Sequence, residues 1–251
     1  MHSLSVTIIT KNEAANIRAC IESVAWADEI IVVDSGSHDG TIEICRELGA
    51  QVFVHDWPGF GMQKNRALSY ASKDWILSLD ADERVTPELR DRIVSAVQAA
   101  QHDGYYLPRR SQFCGQFIQH CGWNPDYVLR LFKRGKGKFS ADLVHESILL
   151  NGATGKLNSP LLHYSYRTEA DVQRKIQQYA TAAAQQMFHA GKVAGSLDAP
   201  LHAAWAFVRT YGLRLGFLDG KAGYAIARMN ATTTFLKYQK LRQTCLARQV
   251  Q

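Results

Sequence analysis

The sequence of 251 residues lacks several features that define whole classes of protein. No run of about 18 apolar residues occurs, so we expect no helix that spans a membrane. The N-terminal segment MHSLSVTIITKNE lacks the ordered charged start, apolar stretch and cleavage site of a signal peptide. The five cysteines are an odd number without a compact framework, which favours a reducing, cytosolic setting over a disulfide-stabilised secreted protein.

Two common nucleotide-binding motifs are also missing. Neither G-x-G-x-x-G nor G-x-x-x-x-G-K-[ST] follows a predicted strand, which argues against dinucleotide-binding and P-loop proteins. Acidic residues are scarce towards the C-terminus, where residues 200–251 hold eight Lys and Arg against one acid, Asp219. A basic segment of this kind favours nucleic acid, an anionic membrane or an acidic partner.

The first hundred residues alternate between apolar strands and segments with helical spacing. Strands are predicted at 4–9, 29–34, 51–57 and 75–79. Thr86 and Pro87 are typical of a helix start, as N-cap and first helical residue. This alternation predicts a parallel sheet covered on both faces, which is a doubly wound α/β unit.

The pattern changes after residue 104. Shorter, turn-rich strands predict a mixed extension of the sheet, and helices are predicted at 168–190, 201–218 and 222–243. We therefore expect one domain over residues 1–199 and a basic, amphipathic helical extension over residues 200–251.

Polar side chains follow three of the predicted parallel strands: Thr10 to Glu13, then Asp34, then Asp80 and Asp82. Ligands of open α/β sheets bind outside the carboxyl ends of the strands, so these residues predict one site. Asp80 and Asp82 point the same way on an extended chain, and a cation between them would relieve their repulsion. Mg²⁺ accepts carboxylate oxygens together with substrate phosphates, which predicts a metal that holds a diphosphate. A solvated turn beside a helix N-terminus is the alternative.

Four successive segments resemble, in order and spacing, the motifs of the family-two glycosyltransferases: VTIITKNEAANI, IIVVDSGSHDGT, GMQKNRAL and WILSLDADE. The resemblance implies the α/β GT-A nucleotide-diphosphosugar transferase fold, a doubly wound, mostly parallel sheet, here with a C-terminal helical extension. Later segments resemble bacterial lipopolysaccharide-core enzymes that add glucose to inner-core heptose by a β-1,4 linkage: YVLRLFKRG, LVHESI, LLHYS and GFLDGKAG.

The resemblance also implies roles for the residues at the strand ends. Thr10, Glu13 and Asp34 would contact the base and ribose of a UDP-sugar. Asp80 would lie near the ribose and the metal, and Asp82 would bind that metal, Mg²⁺ or Mn²⁺.

Residues outside the strand ends complete the expected site. Lys64 and Arg66 would face the diphosphate, with a solvated helix face as the alternative. His163 resembles the C-terminal histidine that GT-A enzymes place on the metal, and a structural histidine near an apolar strand is the alternative.

Inverting transfer by single displacement needs a general base within hydrogen-bond reach of the acceptor hydroxyl. Glu146, in DLVHES, is the expected base, because the acceptor-side acid of the family falls in this region. Asp142 and His145 remain the alternatives.

The basic extension predicts where the enzyme works. Leu201, Trp205, Val208, Leu215 and Leu218 share approximately one face of the predicted helix, and basic amphipathic helices with aromatic residues lie in membrane interfaces. A helix pair that packs on the domain is the alternative. We expect a peripheral enzyme at the inner face of the bacterial inner membrane, with a lipid-linked saccharide of the lipopolysaccharide core as acceptor. No nucleic-acid recognition motif occurs, so no nucleic-acid partner is expected.

Other functions fit the sequence less well. Transfer to another cell-surface glycan is the nearest alternative. A phosphatase that forms a phosphoenzyme on paired aspartates would carry them after its first strand, whereas here they follow the fourth. A basic membrane-binding adaptor would give no reason for carboxylates at the strand ends.

Overall fold

The computed structural model describes residues 2–140 and 147–249. Its strands are β1 (Leu4–Thr10), β2 (Glu29–Asp34), β3 (Gln51–Val54), β4 (Trp75–Asp80), β5 (Glu83–Val85), β6 (Gly104–Phe113), β7 (Gln116–Phe117), β8 (Asp126–Lys133), β9 (Gly137–Phe139), β10 (Ile148–Leu150), β11 (Thr154–Lys156) and β12 (Leu161–Tyr166). Its α-helices are α1 (Ala14–Ser23), α2 (Thr41–Glu47), α3 (Phe60–Tyr70), α4 (Pro87–Ala99), α5 (Glu169–His189), α6 (Asp198–Val208) and α7 (Gly220–Gln249).

The chain divides into two compact units, and the first comprises residues 1–109 and 126–163. Its sheet has the order β3-β2-β1-β4-β8-β6-β12-β5. The strands β3, β2, β1 and β4 run parallel, whereas β8 is antiparallel to both β4 and β6. The predicted doubly wound α/β fold with a mixed extension is confirmed.

Apolar clusters cover both faces of the parallel strands, because successive side chains of a strand point to opposite faces. Ile8 and Leu77 lie in the larger cluster, while their neighbours Ile9 and Ile76 lie in the smaller one. The helix start at Thr86 is as predicted: its side chain accepts a hydrogen bond from the Leu89 amide at 3.1 Å. Burial on both faces fixes the sheet and therefore the positions of the strand ends.

The second unit comprises residues 110–125 and 164–251. Its core joins the β6–β7 hairpin to α5 and α7 through buried residues Phe113, Ile118, Cys121, Val172, Ile176, Ile226 and Met229. This division differs from the predicted boundary after residue 199, because α5 shares its apolar face with the C-terminal helix.

The predicted single helix over 201–218 is wrong. Helix α6 ends at Val208, and a π-helical turn (Arg209–Leu213) and a 3₁₀ turn (Gly216–Asp219) follow it. Leu215 between them has φ +55°, a left-handed conformation that interrupts a right-handed helix. Within the described residues, no helix is both long and apolar enough to cross a membrane.

Asp219, in the GFLDGKAG segment, is buried and holds the loop before Gly122. Its carboxylate accepts hydrogen bonds from the amides of Gln119 (3.1 Å) and His120 (2.8 Å). The one acid of the basic segment therefore braces a loop of the second unit.

Gly223→Ala is expected to destabilise the protein by about 3 kcal/mol. A Cβ at residue 223 would collide with the backbone carbonyl of Gly216, which cannot move away as a flexible side chain would. Urea denaturation followed by circular dichroism measures the change. Gly212→Ala is the matched control, since its Cβ would meet no atom within 4 Å. Equal stability of the two variants would contradict the close approach of residue 223 to the Gly216 carbonyl.

Candidate active site

The loops that follow β1 and β2 meet at the carboxyl edge of the sheet. Thr10 and Asp34 are register partners, and the Thr10 hydroxyl donates to the Asp34 carboxylate at 2.7 Å. Asp34 is fully buried, and its carboxylate also accepts from the Gly36 amide (2.8 Å) and from the amide and hydroxyl of Ser37 (2.7 and 2.5 Å). The strand-end aspartate thus shapes the loop that follows it.

Further hydrogen bonds join the two loops around Glu13. The Glu13 amide donates to the Thr41 hydroxyl at 2.9 Å, and the Ala14 amide donates to Asp39 at 3.0 Å. Asn12, with φ +56°, accepts from the His38 amide at 3.0 Å. The Glu13 carboxylate accepts from the Asn16 side chain at 2.7 Å. Both loops are therefore ordered by the protein itself.

Asp80, at the end of β4, lies between two buried cations. Its carboxylate contacts Lys64 Nζ at 2.8 Å and Arg130 Nη2 at 2.5 Å. The cation side chains are only 4% and 7% exposed, whereas that of Asp80 is 29% exposed. Burial opposes ionisation, but the charges of Arg130 and Lys64 hold the pKa of Asp80 well below its usual range. Asp80 is thus a fixed carboxylate at the strand end.

Glu83 extends this contact into a chain of alternating charges. It is fully buried and accepts from the Asp80 amide at 3.0 Å and from Arg130 at 2.7 Å. Arg109 lies 3.6 Å from Glu83 and pairs with Asp126 at 2.8 Å. The chain of charges fixes the turn that carries Asp82.

Arg130→Met is expected to lower the free energy of unfolding by about 3 kcal/mol, because it removes a cation shared by Asp80 and the buried Glu83. Chemical denaturation measures this effect. Arg134→Met is the matched control: Arg134 follows the same strand and is exposed, and its side chain donates to the Lys73 carbonyl. If the Arg130 variant were as stable as that control, the contacts of Arg130 with Asp80 and Glu83 would not stabilise the fold.

Asp82 and His163 come together from distant parts of the sequence. The antiparallel pairing of β12 with β5 places His163 opposite Glu83, and the His163 Nε2 atom lies 3.4 Å from Asp82 Oδ2. Both side chains are about one-fifth exposed or less, at 15% and 22%. The pair places one nitrogen and one oxygen atom side by side, and both are types of atom that bind metal ions. No group of three or more His, Cys, Asp and Glu that could hold a metal occurs among residues 2–140 and 147–249.

Lys64 and Arg66 have different surroundings although both belong to α3. Lys64 contacts Asp80, whereas Arg66 donates to the carboxylate of Asp56 at 2.8 Å and to Gln63 at 3.2 Å. Residues two apart on a helix do not share a face, which explains the difference. The expected base Glu146 and its alternatives Asp142 and His145 lie outside the described residues.

Arg130, Glu83 and Arg109 are the site residues that sequence reasoning missed. One signal was available: Arg130 lies inside the apolar strand segment YVLRLF, where a buried charge requires a partner. The residues around Arg130 in the sequence do not indicate that its partners are Asp80 and Glu83.

An open, doubly wound α/β sheet is the class of fold in which ligands bind outside the carboxyl ends of the strands, where the carboxylates of this chain lie. The family model described as "Glycosyl transferase family 2" matches residues 5–150. The chain belongs to this family: it is a glycosyltransferase with the GT-A fold, as the sequence motifs predicted.

Several relatives span almost the whole chain. The lipopolysaccharide core biosynthesis glycosyltransferase LpsC of Rhizobium meliloti is 32% identical over 96% of this chain and 92% of its own length. An uncharacterized glycosyltransferase of Rickettsia felis is 31% identical over 98% of this chain and 92% of its own. A solved structure of glucosyl-3-phosphoglycerate synthase from Mycobacterium tuberculosis, with Mn²⁺, UDP and glucosyl-3-phosphoglycerate, matches 44% of each chain at 26% identity and a TM-score of 0.38.

Proposed function

We propose that the chain transfers a hexose, glucose, from a UDP-sugar to an inner-core heptose of lipopolysaccharide, with inversion at the sugar carbon. The observation that carries this proposal is the strand-end site, in which Asp80 is fixed by Lys64 and Arg130 beside the Asp82–His163 pair. The similarity to LpsC supports a saccharide of the lipopolysaccharide core as acceptor.

A divalent cation, Mg²⁺ or Mn²⁺, fits the donors of this site. Asp82 and His163 would hold it, because Mg²⁺ usually takes one or two protein groups and completes its shell with waters and substrate phosphates. When bound, such an ion supplies Lewis-acid stabilisation of the leaving diphosphate. Asp80 is already neutralised by Lys64 and Arg130, so we propose that it positions the ribose and the turn rather than the ion.

The remaining roles follow from the ordered loops. Glu13, which is half-buried, is proposed to contact the nucleoside, while Asp34 is proposed to act through the loop it shapes, since its carboxylate is fully buried. Thr10 supports Asp34. Lys64 and Arg66 are proposed to face the diphosphate. This role requires Lys64 to share its charge with Asp80 and requires Arg66 to leave Asp56.

Two assays test the proposed reaction. Calorimetry of UDP binding with and without Mg²⁺ or Mn²⁺ tests the nucleotide and metal together. A screen of UDP-sugars against an acceptor extract from a strain that lacks this chain identifies the donor and the glycan. UDP-glucose and metal with that extract should give transfer, and a phosphate ester should not be hydrolysed. Hydrolysis without transfer would favour the phosphatase.

We also propose that the enzyme works at an anionic membrane surface as a peripheral protein. Leu201, Trp205 and Val208 lie at i, i+4 and i+7 on α6, and each is more than half exposed (64%, 55% and 52%). The turns after α6 add more exposed apolar side chains: Leu213, Leu215, Phe217 and Leu218. Such an apolar surface beside basic residues is typical of a helix that lies in a lipid interface.

Binding to anionic vesicles is expected to be at least tenfold stronger than to neutral ones, and to weaken as salt rises. Two double variants should each lose most of the vesicle binding while UDP binding persists: Leu201→Ser with Trp205→Ser, and Arg209→Glu with Arg214→Glu. Co-sedimentation measures vesicle binding, and calorimetry measures UDP binding. Arg90→Glu with Arg92→Glu is the matched control, since both arginines are exposed on α4. Negligible binding to either vesicle would contradict membrane docking.

A further inference from the structure

The second unit contains a cavity of about 510 Å³ that lies between α5, α7 and the turn of the β6–β7 hairpin. Its volume is within the range of small-molecule sites. Phe113, Val172, Ile176 and Met229 line it and are buried members of the core of this unit. The inner wall of the cavity is therefore apolar, and the proposed transferase site of the first unit does not use it.

The polar residues of the cavity lie at its rim. Lys221 and Arg228 line it from α7, where a spacing of seven residues places them two turns apart on one face. Both side chains are exposed, and neither makes a hydrogen bond or an ion pair with any other residue that the structure describes. Glu169 is the one acid among the lining residues. The rim therefore presents two cations against one carboxylate.

This combination selects the chemistry of the ligand. A sugar or a nucleoside would leave its hydroxyl and amide groups without partners against the apolar wall, at a cost in free energy. An alkyl chain would gain free energy there, and an anionic head group would be stabilised by two cations at the entrance.

We propose that the cavity binds one acyl chain of an anionic phospholipid of the membrane, with the lipid phosphate against Lys221 and Arg228. The inference deepens the proposed membrane function and rests on it. Continuity with the exposed apolar surface supports this occupant. Lys221 lies three residues after Leu218 in the sequence, and Tyr224 is half exposed. The ring of Tyr211 contacts both Tyr224 of the cavity and Phe217 of the apolar surface. The lipid would thus enter from the surface that faces the bilayer.

The chain carries its own reporter of occupancy. Cys114 lines the cavity and is exposed, whereas Cys245 belongs to the C-terminal part of α7 and is not among the lining residues. Partial desolvation of the thiol raises the pKa of Cys114, and the charges of Glu169 and Asp171 add to the effect, so alkylation is best run at about pH 8.5. The rates of modification of the two cysteines by N-ethylmaleimide are read separately by peptide mass spectrometry.

Dodecyl phosphate, used below its micelle concentration, is expected to slow alkylation of Cys114 at least fivefold and to leave Cys245 unchanged. The half-protecting concentration of dodecyl maltoside should be at least tenfold higher than that of dodecyl phosphate. Inorganic phosphate should not protect Cys114. Lys221→Gln with Arg228→Gln should raise the half-protecting concentration of dodecyl phosphate about tenfold. Arg242→Gln, an exposed arginine of the same helix outside the cavity, is the matched control and should change nothing.

Ala225→Leu fills the cavity from α7 and should also weaken protection, with circular dichroism confirming the fold. No protection of Cys114 by dodecyl phosphate would overturn the proposal, as would equal protection by the phosphate and the maltoside. The probe is monomeric, so protection does not depend on vesicle docking or on UDP binding. Failure of the cavity proposal and failure of the proposed function are therefore distinguishable.

Discussion

Asp82→Asn is expected to reduce sugar transfer by about 10³-fold while the fold stays intact. The amide keeps the size of the side chain but loses the charge that, beside His163, would hold a divalent cation. Turnover with UDP-glucose and acceptor extract measures the loss, and circular dichroism measures the fold. Calorimetry should show that UDP binding no longer depends on Mg²⁺ or Mn²⁺.

Asp91→Asn is the matched control for this change. Asp91 is an exposed carboxylate on α4 that pairs only with its neighbour Arg90 among the described residues, so its loss should leave turnover within about twofold of the parent. Full turnover in a folded Asp82 variant would show that Asp82 does not bind a metal needed for transfer. The proposed role of His163 as a ligand of the same metal would then also be wrong.

Glu146→Gln is expected to lower turnover by about 10²-fold while UDP-sugar binding persists, as for the loss of a general base. The glutamine can still hydrogen-bond the acceptor hydroxyl but cannot take its proton. Steady-state kinetics separates kcat from KM, and calorimetry measures donor binding. The loss should fall on kcat.

Two further variants decide between Glu146 and its alternatives. Asp142→Asn and His145→Gln should each change turnover only a few-fold if Glu146 is the base. Glu88→Gln, an exposed glutamate in the first turn of α4, controls for the loss of a negative charge. A few-fold effect at Glu146 with a large effect at either neighbour would transfer the role to that neighbour.

The parallel part of the fold could be predicted because its signals are local. Strands buried on both faces read as continuous apolar runs, and the residue after each run falls at the carboxyl edge. Thr10 lies opposite Asp34, and Ile9 lies opposite Asp80, so the three strand ends coincide as expected. The meeting of Asp82 with His163 was expected from the family resemblance alone, since 81 positions separate them in the sequence.

The charged chain behind Asp80 could not be predicted, because it depends on long-range pairing. Arg130 reaches Asp80 and Glu83 only because β8 returns antiparallel to β4, with Leu131 opposite Leu77. Periodicity assigns a residue to an element but does not give the register between elements distant in sequence.

The same limit explains the C-terminal helices. Leu201, Trp205 and Val208 share a face by periodicity, and periodicity gives the same pattern whether that face is covered or open. The structure leaves it exposed. The helix break near Leu215 had no proline to mark it, and Gly212 and Gly216 are weak signals inside an apolar run.

The hydrogen bonds between the loops after β1 and β2 have a thermodynamic consequence. Binding to a mobile loop loses conformational entropy, which weakens the affinity of the complex. Here Asn12, Glu13 and Ala14 already have partners in the loop from Ser37 to Thr41, and Asp34 holds the base of that loop. A nucleotide bound at this edge, as proposed, would meet a preorganised surface, so little ordering of the protein would oppose its association.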